Sequence, residues 1–565
     1  MSVKTVIVGG VAGGATAAAR LRRLDEKAEI VIFERSGYVS YANCGLPYYI
    51  GGVITDPEEL TLQTPESLWE RFRIRACVRH EVLSIDPARK TVAVRELDTG
   101  REFEESYDRL LLSPGAKAVK PALPGIDDER IFTLRTVEDT LRIREFIDRE
   151  RPRSAVIAGG GFIGLETAEN LRELGLDVTI VQRPKQVLNP LDYDMAALVH
   201  AELRKNGVGL CLGRTVTGFE RDGGSLLTLL RDEPPLRSDM VLLAIGVAPD
   251  SALAASAGLA LGAKGSIVVN SRMETSVKDI YAVGDAVEVR HFVSGRPALI
   301  ALAGPANKQG RIAADNICGI DSEYKGSQGS SVVKLFGLTA ASTGLNEGAA
   351  KAADLDYERL VLSPASHASY YPGGKLLTLK LLYERGTLRL LGAQIVGGEG
   401  ADKRIDVLAT AIRAGMRADE LAELELAYAP PYSSAKDPVN MAGFMAQNIE
   451  AGLVKQFHWQ DVPALRETPG VTLLDTRTPA EYARGHAEGF VNIPVDELRE
   501  RLGELERGKS VYVMCQSGLR SYVACRILAQ SGFECFNFSG GYRFYQAVTE
   551  DICTAGNSWP CGMDR

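Results

Sequence analysis

Two cysteines carry surroundings that suit sulfur chemistry. Cys44 lies in Tyr41-Ala42-Asn43-Cys44-Gly45-Leu46-Pro47-Tyr48-Tyr49-Ile50, at an expected helix start. There, N–H groups and local positive potential would favour a thiolate. An internal redox disulfide needs a second cysteine a few residues along, but positions 47 and 49 are Pro47 and Tyr49. Oxidised Cys44 must therefore involve an external thiol, a persulfide or a sulfenate. Cys515 ends the buried-strand pattern Val511-Tyr512-Val513-Met514, and Gln516-Ser517-Gly518-Leu519 leads to Arg520, which opens a helix. That strand, loop and helix make a cup of inward N–H groups around a thiolate, suited to a persulfide anion.

Two glycine turns must position cofactors near such thiols. Gly159-Gly160-Gly161-Phe162-Ile163-Gly164 follows the strand pattern Ser154-Ala155-Val156-Ile157-Ala158 and precedes a helix pattern. This matches G-x-G-x-x-G, in which backbone N–H groups and a helix N-terminus approach a pyrophosphate. Glu166 lies on the helix that follows. Gly9-Gly10-Val11-Ala12-Gly13-Gly14 opens the chain in the same way, with Val11 in the middle glycine position. Glu34, followed by Arg35, ends the next strand, where a carboxylate can accept ribose hydroxyls. In the second turn's counterpart position stand Gln182 and Arg183, and gaining an arginine for an acid favours a phosphorylated ribose without excluding NADH. On the first helix Thr16, Arg20 and Arg23 fall at i, i+4 and i+7, one face, and a hydroxyl with two guanidinium groups suits a polyphosphate. Alone, such a stripe is more often a solvated face.

Larger strings add specificity. Thr275-Ser276-Val277-Lys278-Asp279-Ile280-Tyr281-Ala282-Val283-Gly284-Asp285 resembles the second FAD motif of the two-dinucleotide-domain flavoprotein reductases. The resemblance implies that Asp285 holds the ribityl chain, with FAD in the first domain and NADH or NADPH in the second. Gly9 to Gly14, Asn43-Cys44-Gly45-Leu46-Pro47-Tyr48, Leu302 to Arg311 and Tyr428 to Pro438 resemble the coenzyme A disulfide reductases fused to a rhodanese domain, the persulfide reductase branch. In that family the positions of Thr16, Arg20, Arg23, Ser40, Asn43, Asn307 and Lys436, with Arg311 beside them, imply a coenzyme A site. Tyr370 and Tyr428 match two tyrosines that reach the partner subunit's cysteine, which implies a homodimer; Tyr371 and Tyr432 are neighbours easily confused with them. Leu473 to Tyr482 with Gly485-His486 resemble the second rhodanese signature. Cysteine phosphatases place five residues between cysteine and arginine, whereas four separate Cys515 from Arg520, so phosphate would fit poorly.

The fold expected is α/β: two Rossmann-like domains (FAD, 1–112 and 250–328; NAD(P)H, 113–249), an α+β dimerisation domain (329–450), a linker (451–465) and a C-terminal α/β rhodanese domain (466–565). The 45% hydrophobic and 24% charged residues are ordinary for a soluble protein, and a net charge of -8 argues against nucleic acid as the main partner. The strand Lys4–Val8 runs directly into its glycine turn without the apolar stretch of a signal peptide, and no run of about 18 apolar residues suggests a membrane span. Nine cysteines scattered over 565 residues form no disulfide framework, which favours a reducing, cytoplasmic setting. Cys525, Cys535, Cys553 and Cys561 lack metal-ligand spacing, so no metal is expected, although Cys553 and Cys561 could pair under oxidation. The function expected is NAD(P)H-driven reduction of coenzyme A disulfide, coenzyme A persulfide or polysulfide at Cys44, with sulfur delivered by Cys515. Two rivals stand beside it. One is an NADH oxidase or peroxidase cycling a sulfenate, against which Ala12 stands where those flavoproteins carry histidine. The other is a sulfur-trafficking adaptor.

Overall fold

A computed structural model describes residues 3–555, which divide into two compact units. The first comprises residues 3–183, 207–210 and 214–329, the second 184–206, 211–213 and 330–555.

The first unit holds two parallel sheets. One runs in the order Ile280–Ala282, Arg109–Leu112, Lys4–Val8, Glu29–Glu34, Arg75–Val78. The strands Lys4–Val8, Glu29–Glu34 and Arg109–Leu112 are near-continuous apolar runs because the sheet is buried, in one core with Ala17, Ala18 and Leu21 of the first helix and Ile85, Val92 and Val94 of an antiparallel sheet. In the other, Asp177–Gln182, Ser154–Ala158, Met240–Leu243 and Ile131–Thr133 run parallel. Each sheet feeds a helix through its glycine turn, and the turn chemistry is a matter of space. A Cβ on Gly14 would lie 1.9 Å from the Gly9 carbonyl oxygen, and one on Gly164 would lie 2.1 Å from that of Gly159. Glycine there lets Ala12–Leu24 and Phe162–Glu173 start hard against their strands.

The second unit contains an antiparallel sheet in the order Ser331–Leu335, Leu338–Gly344, Leu390–Gly397, Leu377–Glu384, Tyr357–Leu362. It also contains a parallel sheet in the order Lys455–Phe457, Cys535–Phe538, Ser510–Met514, Val471–Asp475, Val491–Asn492. Lys455–Phe457, expected within the linker, is thus an edge strand of the C-terminal sheet, because its backbone finds partners on Cys535–Phe538. Residues 184–206, which the sequence placed in the nucleotide domain, pack within this unit. Their helix Tyr193–Lys205 is held by buried charge. Lys380, fully buried, donates to Asp194 at 2.8 Å and Glu347 at 2.6 Å and lies 3.0 Å from Asp192. The Trp459 indole N–H donates to Asp194 at 3.1 Å. Further along the helix, buried Asp551 accepts from the Tyr193 hydroxyl at 2.7 Å and lies 2.9 Å from His200 Nδ1. Among the described residues no helix is long and apolar enough to cross a membrane.

Candidate active site

Cys44 sits in the short 3-10 turn Asn43–Gly45, which runs into the helix Leu46–Ile50. Its sulfur is open to solvent, yet enough protein surrounds it that burial raises its pKa, and the nearby Glu166 carboxylate raises it further. Arg135, ion-paired with Asp285, acts in the opposite direction. The expected stabilisation of a thiolate at the helix start is therefore outweighed within the protein. A five-residue helix contributes little dipole, and a carboxylate faces the sulfur. Glu166, expected at the nucleotide, accepts from the Tyr48 hydroxyl at 3.1 Å. Its own carboxyl is pushed up by burial. The helix Phe162–Glu173 that carries it and the segment following Cys44 touch closely, since a Cβ on Gly51 would come within 2.0 Å of Asn170 Oδ1. Glu166→Gln is expected to lower the Cys44 pKa by removing a like charge. The alkylation rate of Cys44 as a function of pH should then shift to lower pH, and an unmoved profile would show that Glu166 does not set it.

The glycine turns are built to receive phosphates. Ala12–Leu24 and Phe162–Glu173 start without any side-chain cap, whereas Val137–Glu150 carries a Thr136/Asp139 capping box. An uncapped first turn leaves N–H groups for an anion. Nothing lies within 4 Å of a Cβ built on Gly161, so a ligand can approach there. Glu34 accepts from Gly10 N–H at 2.9 Å, and Gln182 accepts from Gly160 N–H at 3.0 Å. The acid and the amide thus hold the same post in two domains. Arg183 is exposed beside Gln182, while Arg35 pairs with Asp250 at 2.7 Å. Residues of both turns, Glu34 and Asp285 therefore fit FAD in the first sheet and a nicotinamide nucleotide in the second.

On the first helix the Thr16 hydroxyl donates to Asn307 Oδ1 at 2.7 Å, and Arg20 is tied to Asp315 at 2.7 Å. Arg23 and Arg311 are exposed. Ser40 has a left-handed backbone (φ 52), and its N–H donates to the Gly10 carbonyl at 2.8 Å. Lys436 belongs to the second unit.

Cys515 follows Ser510–Met514 and is buried. Gly518 N–H lies 3.1 Å and Ser521 Oγ 3.3 Å from its sulfur, one N–H and one hydroxyl rather than the cup of several N–H groups expected from the loop. Gly518 has φ +99, a conformation that favours glycine and turns the loop into the helix Leu519–Gln530. Arg520 is engaged by Glu481 through two hydrogen bonds of 2.7 and 2.8 Å. These hold the Glu481 carboxyl down to about 2. Neither Ser521 nor Glu481 carries a site role in the sequence pattern: Ser521 adjoins Arg520, whereas Glu481 lies 39 residues away. Cys525 and Cys535 are buried in the core of this domain, with Cys535 Sγ 3.2 Å from the Cys525 carbonyl. Cys561, the suggested partner of Cys553, lies outside the described residues.

Comparison with known proteins assigns these features to one lineage. The model of the pyridine nucleotide-disulphide oxidoreductases matches residues 3–310. The chain belongs to this family. The family's dimerisation domain matches residues 330–438 and a rhodanese-like domain residues 458–547. Coenzyme A disulfide reductase of Staphylococcus aureus is 40% identical over 445 residues, 79% of this chain and all of that protein. The crystal structure of reduced CoADR-RHD from Bacillus anthracis is 48% identical and covers 98% of this chain and 99% of its own, with a TM-score of 0.95. The NAD-dependent persulfide reductase structure from A. fulgidus is 39% identical, covers 96% and 99%, and has a TM-score of 0.90.

In the dimerisation domain of this oxidoreductase, the hydroxyls of Tyr370 and Tyr428 lie 2.7 Å apart, joining the two tyrosines expected to act together. Both phenols are exposed, and a cavity of about 510 Å³ lined by Tyr428, Tyr432, His367 and Lys403 opens beside them. The loops that carry them converge on Arg404, which is 1% exposed. Its guanidinium donates to the Ser366 and Tyr432 carbonyls at 3.0 and 3.1 Å and to Asp437 at 2.9 Å. Burial alone would raise the Asp437 carboxyl, but Ser433, Val439 N–H and Arg404 together hold it below the usual carboxylate range. The stability this contributes is present above that range and is lost on acidification through the lowered value. Arg404→Met leaves a buried carboxylate unpaired and is expected to reduce the unfolding free energy by about 3 kcal/mol. Denaturant titration checks this; a loss below about 1 kcal/mol would rank the pair with surface salt bridges.

Proposed function

We propose that this protein is an NAD(P)H-dependent flavoprotein reductase acting on coenzyme A disulfide and coenzyme A persulfide or polysulfide, with Cys515 supplying sulfane sulfur. The observation that carries this reading is the solitude of Cys44. It lies among dinucleotide turns, with no cysteine near it in sequence, and it is a free thiol. Its disulfide partner must therefore diffuse in, and the coenzyme A disulfide reductase and persulfide reductase relatives name that partner's class.

Gly9 to Gly14, Glu34 and Asp285 would hold FAD, and Gly159 to Gly164, Gln182 and Arg183 would hold NAD(P)H, the pair that supplies two-electron reduction. Cys44 as thiolate attacks one sulfur of coenzyme A disulfide, forming Cys44–S–S–coenzyme A and expelling one coenzyme A thiolate. Two electrons then cleave the mixed disulfide, returning the Cys44 thiolate and a second coenzyme A thiolate. With a persulfide, attack at the sulfur bonded to carbon forms the same mixed disulfide and expels hydrogen sulfide anion. Thr16, Arg20, Arg23, Asn307 and Arg311, with Ser40, Asn43 and Lys436, would bind coenzyme A. Tyr370 and Tyr428, joined by one hydrogen bond, would give a proton to a leaving thiolate. In a homodimer they would serve the other subunit's Cys44. A cytoplasmic setting would keep the free cysteines reduced.

The test is a mass spectrum of the protein purified without reductant. A coenzyme A adduct on the Cys44 peptide, released by NAD(P)H, is the expected result. A Cys44 found only as sulfenate, with oxygen or peroxide reduced faster than coenzyme A disulfide, would replace this reading by the oxidase one.

A further inference from the structure

Within the second unit a cavity of about 530 Å³ lies apart from the residues assigned above. It is bounded by the helix Tyr193–Lys205, the antiparallel sheet and the first turn of the helix Gly541–Ala555. Its volume falls in the range of small-molecule sites, about 300–1,000 Å³. Three cations line it: Lys205, Lys375 and Arg543. Glu202, the carboxylate on the same wall, is occupied by Lys205 at 3.2 Å. Among the described residues, the side chains of Lys375 and Arg543 have no hydrogen-bond or ion-pair partner. Lys375 lies along the wall because residue 398 is glycine; a Cβ there would come 2.5 Å from Lys375 Cδ.

The location gives those cations a purpose. Ser510–Met514 and Cys535–Phe538 are parallel neighbours, so their carboxyl ends share one edge of the sheet. Cys515 follows the first strand, and the helix bearing Arg543 follows the second. Tyr542 N–H donates to the Cys515 carbonyl at 2.7 Å, and Arg543 N–H donates to that of Gln516 at 3.3 Å. Arg543, which lines the cavity, is therefore joined through its backbone to the sulfur-carrying loop, and the carboxyl ends of such strands are where open α/β sheets bind ligands. A guanidinium and an ammonium on one wall suit a phosphate-like oxyanion.

We propose that this cavity is an anion-binding subsite that receives the charged end of the molecule exchanging sulfur with Cys515, a phosphorylated thiol carrier or a small sulfur oxyanion. The inference rests on sulfur transfer at Cys515. The test compares the full-length, FAD-loaded wild type with the Lys375→Ala, Arg543→Ala and double variants, all surface changes, in thiocyanate formation from cyanide. Donors are thiosulfate, coenzyme A persulfide and an uncharged dialkyl trisulfide. The double variant is expected to raise KM at least tenfold for a charged donor while leaving turnover of the trisulfide unchanged. A rise for thiosulfate alone assigns the subsite to small oxyanions; a rise for coenzyme A persulfide assigns it to the phosphorylated carrier. Unchanged KM for both charged donors, or an equal loss with the trisulfide, overturns the proposal. Failure of sulfur transfer itself would show separately, as thiocyanate formation surviving Cys515→Ser. In that event calorimetric titration of thiosulfate and adenosine 3′,5′-bisphosphate into Cys515→Ser protein, with and without the two substitutions, decides the subsite. A tenfold weaker affinity for either probe supports it, and equal affinities for both overturn it.

Discussion

Cys44→Ser protein is expected to take electrons from NAD(P)H at the wild-type rate and yet to turn over coenzyme A disulfide at least about a thousandfold more slowly, roughly 4 kcal/mol of lost transition-state stabilisation. Both halves of the expectation follow from position. The dinucleotide turns would hold their cofactors through backbone N–H groups, Glu34, Gln182 and Asp285, none of which depends on the sulfur. The disulfide half-reaction has no substitute nucleophile, because a serine oxygen forms no disulfide and positions 47 and 49 offer Pro47 and Tyr49. Single-turnover flavin bleaching and steady-state NAD(P)H consumption separate the two. A variant retaining more than a tenth of wild-type disulfide turnover would move the chemistry to another residue. One that failed to bleach would show Cys44 to be structural for the flavin site.

The second large effect is expected at Cys515. Its sulfur has a Gly518 N–H donor at 3.1 Å and Ser521 Oγ at 3.3 Å, and hydrogen bonds to a charged sulfur stabilise a persulfide anion more than its neutral form. Cys515→Ser should reduce sulfur transfer to cyanide by about a thousandfold, near the loss of a sole nucleophile, with coenzyme A disulfide reduction intact. Polysulfide and preformed coenzyme A persulfide then report on the relay. If Cys515 loads the carrier that Cys44 reduces, polysulfide reduction falls while reduction of the preformed persulfide is kept. Equal losses on both would mean that Cys515 is not upstream of Cys44, and no loss on either would make the two thiols independent.

Several long-range features decide how those thiols behave and left no trace in local spacing. Glu166 matches a nucleotide helix by position, and its carboxylate also raises the Cys44 pKa across a close helix approach. Arg520 reads as a cup residue, but it is engaged by Glu481 on another element. Residues 184–206 follow a nucleotide-domain strand in sequence, and buried partners on later segments, Lys380, Trp459 and Asp551, draw them into the second unit.

What the sequence by itself determined is what the backbone does over a few residues. The glycine turns, the strand and loop around Cys515 and the absence of a cysteine near Cys44 are set by which residues permit a left-handed turn, a close helix start or a disulfide within reach. Only the tertiary structure decided which charges face which sulfur, that two phenols 58 residues apart share one hydrogen bond, and that Arg404 joins the loops carrying them. Local sterics act between neighbours in sequence, whereas burial and Coulomb interaction act between neighbours in space.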